Sequence, residues 1–332
     1  MFATTAARRV RTVATVIAAT VVTSLFTVVG TTGPAHADLL PYVPWSSYLA
    51  GWTDQYVPSS DNDCVAGRPN CLNGTLKEQS RIADDTAKSC SHNAVFARAY
   101  VRMTQLYGYT RAIPGYYQDV PYFNHVDAVF ARYYTDAYYN WQSGNRTAVP
   151  QAWLLAFDAA QNKKVTGSGD LLLGMNAHIN RDLPYVMEAA GLVAPDGSSR
   201  KPDYDAVEAW LYDATAPLIA EFAARFDPSM DDTADPFGIG NWTLFQMVSA
   251  WREQAWRNAE ALASAPTPAA RALVEANIES YANSVAQGLL STQSYSLLST
   301  TASRDSFCAA HNGDAPPMPY AFGPATAWGY AY

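Results

Sequence analysis

Apolar residues recur at three- and four-residue spacing along most of the chain between about residues 83 and 291, and strict alternation is scarce. The spacing predicts a helix over 83–108, ended near Gly108, and a second over 119–142, closed by Ser143-Gly144-Asn145. A third covers 150–163, with Pro150 at its start. The fourth begins near Gly169, carries LLLGMNAHINRDLPYVMEAAGL, and is closed by the run Asp196-Gly197-Ser198-Ser199. Helices over 203–226, kinked at Pro217, over 237–262 and over 266–291 complete the set. Six or seven long helices with short links predict an all-α fold, a single multi-helix bundle. Residues 38–80 are rich in Pro, Gly, Asn, Asp and Ser and read as an irregular N-terminal wrap; 292–332 read as an irregular tail.

The start of the chain follows a different pattern. Arg8, Arg9 and Arg11 precede an apolar stretch from Val13 to Val29, and Ala35-His36-Ala37 forms a small-x-small exit. These are the three parts of a secretory signal peptide, so 1–37 is expected to be removed and 38–332 to form one exported domain. The stretch is broken by Thr and short for a membrane span, so no transmembrane anchor is expected. The four Cys then read as disulfides: Cys64–Cys71 around a turn-rich loop, leaving Cys90–Cys308 to tie the tail to an early helix. The formal charge is −8, and loss of the leader removes three Arg, which argues against nucleic acid as a charge-driven partner.

Candidate chemistry concentrates in Gly174-Met-Asn-Ala-His178-Ile-Asn180-Arg-Asp182-Leu-Pro184. His178 and Asp182 lie four apart on one helical ridge, and Gly174 one turn earlier leaves room for a neighbouring helix or a ligand. Asn176 and Asn180 form a second polar ridge and are candidate catalytic groups with the first pair. The segment is apolar otherwise, which predicts a central helix whose polar groups need buried partners. His-x-x-x-Asp suits a divalent metal such as zinc. It suits equally a His oriented by a carboxylate for proton transfer, or a buried network that fixes helix packing. His92, His125 and Asp158 are further candidate ligands, Asp158 because it stands mid-helix in the apolar WLLAFDAA. AVFARAY at 94–100 is echoed by AVFARYY at 128–134, two similar bundle helices in which Arg98 and Arg132 call for carboxylate partners.

The stretch from about 92 to 192, with FARAY, the helix around Trp153 and the NAHIN-x-DLP string, resembles an exported, actinobacterial-type family known only as a domain of unknown function. A fainter similarity is to the all-helical zinc-dependent phospholipase C and P1-type nuclease superfamily. Gly174, His178, Asp182 and Pro184 match its central-helix pattern, whereas the His that should follow is absent. That resemblance implies a metal-dependent hydrolase of ester or phosphoester bonds with a lipid-like or other small-molecule substrate. The alternative is a non-catalytic protein whose 21 Tyr and 9 Trp help line a cleft for a small apolar ligand. A haem protein with His178, His92 or His125 as axial ligand is a third reading, without an attachment motif to support it.

Overall fold

The computed structural model describes residues 53–233, 239–295 and 300–320. The leader and its cleavage site lie outside these residues. Helices are α1 (Pro69–Lys88), α2 (Ala94–Thr110), α3 (Val120–Gln142), α4 (Gln151–Gln161), α5 (Gly167–Met175), α6 (Leu183–Ala190), α7 (Lys201–Ala206), α8 (Glu208–Arg225), α9 (Ile239–Ala263), α10 (Pro268–Thr292) and α11 (Thr301–His311). A π-helical segment, Asn176–Asp182, joins α5 to α6. Among the described residues the only β pairing is two isolated bridges. The fold is all-α, as the periodicity predicts.

Four expectations are corrected. The wrap assigned to 38–80 contains most of α1, whose Leu72, Leu76, Gln79 and Ala83 form a buried stripe at helical spacing. Gly74 and the Asn residues there had suggested turns, but the cost of Gly74 to the helix, about 0.5–1 kcal/mol, is outweighed by the buried stripe. The single helix expected over 83–108 is two, broken at Ser89–Asn93, where Cys90 adopts a positive φ of 49°. The tail is partly ordered as α11, opened by a capping box between Thr300 and Ser303. In the 203–226 segment the break falls at Val207, whereas Pro217 sits inside α8.

The π segment is the hub. It packs against α3, α4, α5, α6, α9 and α10, and its Asn176, His178, Asn180, Arg181 and Asp182 are all buried. Its widened turn has a local cause. Pro184 has no N–H to donate, and its ring crowds the carbonyl four residues back, so the chain opens the turn before it. Around this hub, α1 packs on α2 and α3, and α8 packs on α2 and α9. Arg98 pairs with Asp84 at 2.6 Å and Arg132 with Asp136 at 3.3 Å, so both echoed Arg have the carboxylates their burial demands.

Both expected disulfides are present, and among the described residues no Cys is free. Cys64–Cys71 closes a short loop onto α1. The same loop is seated on α3: the Gly67 carbonyl accepts from Asn124 Nδ2 at 2.8 Å, and a Cβ at Gly67 would lie 1.6 Å from the Pro121 carbonyl oxygen. Cys90–Cys308 ties α11 to the α1–α2 link across 218 residues. Closing so long a loop restricts the unfolded chain strongly, and Cys90→Ser/Cys308→Ser is expected to cost about 2–5 kcal/mol. A urea melt of the double variant, with an unchanged folded-state circular dichroism spectrum, checks this.

Candidate functional site

Residues four apart are in contact on two sides of the π turn. On one, Asn180 Nδ2 donates to Asn176 Oδ1 at 2.9 Å, and Asn176 Nδ2 donates to the Ala282 carbonyl of α10 at 2.8 Å. These two Asn dock the segment on α10. Neither lines the cavity that borders His178.

On the other side stands Asp182, fully buried. Its Oδ2 accepts from Trp153 Nε1 at 2.8 Å and lies 3.3 Å from His178 Nδ1, and its Oδ1 accepts from Arg181 at 2.9 Å. Arg181 also donates to Glu279 of α10 at 2.8 Å. A carboxylate with these donors is fixed in orientation. The His178 tautomer follows: Nδ1 carries the proton and gives it to Asp182, leaving the Nε2 lone pair as an acceptor. Burial pushes the imidazole pKa down despite the opposing pull of Asp182, so the ring is neutral at neutral pH.

The His178 ring is wedged among aromatics. It stacks on Phe130 with centroids 3.5 Å apart and planes within 3°, and meets the Tyr100 ring edge-on at 4.4 Å. Phe96 also reaches it, and can do so because Gly174 has no side chain: a Cβ there would lie 2.4 Å from the Phe96 ring. The open space predicted beside Gly174 is therefore filled by a neighbouring helix.

His178 lines a cavity of about 190 Å³ bounded by α2, α3, α5, the π segment, α6, α8 and α9. The walls are overwhelmingly apolar, with Met103, Phe123, Leu183, Leu218 and Val248 among them. A few polar groups interrupt them. His178 Nε2, Asp127 Oδ2, the Tyr100 hydroxyl and the Thr104 hydroxyl are shielded from solvent and have no hydrogen-bond partner among the described residues. Burial raises the Asp127 carboxyl to about 7, with Arg111 pulling the other way. Asp127, Tyr100 and Thr104 were not singled out for the site from sequence. The signal that could have found Asp127 is the one that picked out Asp158, an acid within an apolar helical run.

The remaining candidate ligands are placed elsewhere. His92 lies between Asp170, 3.3 Å from Nδ1, and Asp305, 3.1 Å from Nε2. Both ring nitrogens of His125 lie 2.8 Å from backbone carbonyls, those of Cys64 and Asp54. Asp158 pairs with Arg146 at the surface and accepts from Trp141. His178, Asp182, His92, His125 and Asp158 are thus not gathered on one centre. Among the described residues no group of three or more His, Cys, Asp or Glu could hold a metal ion.

The two carboxylates beside His178 predict opposite effects. Asp182→Asn leaves Arg181 and the His178 proton facing an amide and should cost about 3–5 kcal/mol at pH 7. Asp127 has a folded pKa above its unfolded value, so folding favours its protonated form. Its contribution is intact below about pH 4 and falls as pH rises through about 7. Asp127→Asn should therefore leave stability nearly unchanged at pH 4 and raise it by about 3 kcal/mol at pH 8. Melts of both variants at the two pH values decide the signs.

Comparison with curated proteins and with solved structures finds no match. Nothing in these comparisons supports the similarity to zinc-dependent phospholipases and P1-type nucleases. A family match covers residues 72–292, well over half of the chain and the whole of the site described above. The chain belongs to the family of unknown function DUF5995.

Proposed function

We propose that this chain is an exported protein that binds a small, mostly apolar molecule in the cavity beside His178. The observation that carries this reading is the cavity's make-up: apolar walls with four polar groups whose bonding is left incomplete. Enclosed polar groups without partners cost stability, and a ligand able to bond them repays that cost. The size sets a limit. Cavities of about 150 Å³ hold benzene, so about 190 Å³ suits one or two fused rings or a short branched chain.

The metal-dependent hydrolase reading draws no comparable support. Asp182 would have to give up Trp153 and Arg181 to turn toward a metal, and the other candidate ligands point into separate clusters. Export is supported by the leader pattern and by two disulfides of the kind kept in oxidising compartments. Among the described residues no helix is long and apolar enough to cross a membrane.

Naphthalene and 2-naphthol test the reading. Either should raise the melting temperature in a saturable, concentration-dependent way, by about 2.7 kcal/mol of stabilisation at a hundredfold excess over Kd. Thr215→Trp, which fills the cavity from α8, should abolish the shift while keeping the fold. No shift with any ring compound of this size, or an equal shift in Thr215→Trp, counts against it.

A further inference from the structure

The cavity holds more polar chemistry than binding a hydrocarbon requires. His178 presents an unprotonated Nε2, fixed by the Asp182 bond at the other end of its ring. Asp127 on α3 presents an unbonded carboxyl oxygen to the same space, one helical turn before the Phe130 ring that stacks on His178. The Tyr100 hydroxyl is a third unbonded group, on the helix packed against both. A proton acceptor and a proton donor on separate elements, enclosed by apolar walls, form a constellation suited to proton transfer.

We propose that His178 and Asp127 act as an acid–base pair that shifts a proton along an enolisable apolar ketone held in this cavity. This rests on the cavity being a ligand site. His178 Nε2 takes a proton from the carbon next to the carbonyl. The electron pair of that C–H bond forms the C=C bond, and the carbonyl π pair takes the proton of the Asp127 carboxyl, giving a neutral enol. The imidazolium then returns its proton to carbon, at the same position or at the far end of a conjugated system. Asp127 recovers its proton from the enol hydroxyl. The result is isomerisation, or exchange where the imidazolium proton swaps with solvent before one returns to carbon; both side chains are restored and no co-reactant is consumed.

The protonation states agree with these roles. Burial keeps His178 in its basic form and Asp127 partly in its acid form near neutrality. The charged groups around them are Asp182 and Arg181 on the His178 side, Arg111 near Asp127, and Arg252 on the cavity wall. Arg181 and Arg252 are already engaged, with Asp182 and Glu279 and with the Tyr204 carbonyl respectively. Activity should fall at low pH as His178 becomes protonated, and above about 7 as Asp127 loses its proton.

The probe is 2-tetralone with the whole protein in D2O. Loss of the α-proton signals follows exchange by nuclear magnetic resonance, and a thermal shift follows binding. Wild type should bind the ketone saturably and accelerate exchange above buffer. His178→Gln should slow that exchange by on the order of 100-fold with ketone affinity within about threefold. Asp127→Asn, which breaks no bond in the folded protein, should slow exchange and remove the fall above pH 7. Saturable binding without acceleration, or acceleration unchanged in both variants, would overturn the proposal and leave the binding reading standing. Binding of naphthalene but not of the ketone would also overturn it. If neither compound binds, the binding reading fails together with the proposal.

Discussion

A single buried carboxylate, Asp182, holds the centre of this fold together. An ion taken out of water costs several kcal/mol unless its surroundings replace the lost hydration. Here the replacements come from Trp153 on α4 and from Arg181 and His178 on the π segment, while Arg181 is itself anchored to Glu279 on α10. Meeting that demand fixes how α4, the π segment and α10 sit against one another. The π turn belongs to the same segment: it accommodates Pro184, four residues after Asn180, while keeping His178 beside Asp182.

The bonding is not uniform across the molecule. On the Asp182 side each charged group has its partners, as does Glu221, held by Arg102, Arg225 and Tyr320. On the cavity side, His178 Nε2, Asp127, Tyr100 and Thr104 are left incomplete. Stability alone would favour apolar side chains at these places, since Asp127 weakens the fold whenever it ionises. Retention of groups that cost stability, all facing one enclosed space, is the pattern of a site in which function opposes stability.

Much of the fold was legible because its helices are long and periodic. Their ends were less so, since Cys90 and Val207 break the chain where no Pro or Gly marks the break. The helix α1 was hidden because Asn and Gly on its exposed side outweighed a correct apolar stripe of Leu72, Leu76 and Ala83. The site was half legible. The four-residue spacing of His178 and Asp182 predicts their contact, and it is made. Spacing cannot show what occupies the other lone pairs of a carboxylate, and Trp153 lies 29 residues away in sequence. Asp158 and Asp127 illustrate the same limit: both interrupt apolar helical runs, yet one meets Arg146 at the surface and the other faces a cavity.

The position of His178 ties the scaffold to the site. A metal ligand pair needs both side chains turned toward one centre, whereas here Asp182 faces the packed interior and only the imidazole borders the cavity. An imidazole bonded at Nδ1 to a fixed carboxylate has one direction left in which to act. Phe130 stacked on one face and Tyr100 at close range prevent it from swinging away. Any ligand in the cavity therefore meets the same nitrogen, in the same tautomer and the same orientation. That constancy is supplied by the elements that bury Asp182, so the interaction holding the centre of the fold also presets the one basic atom the cavity presents.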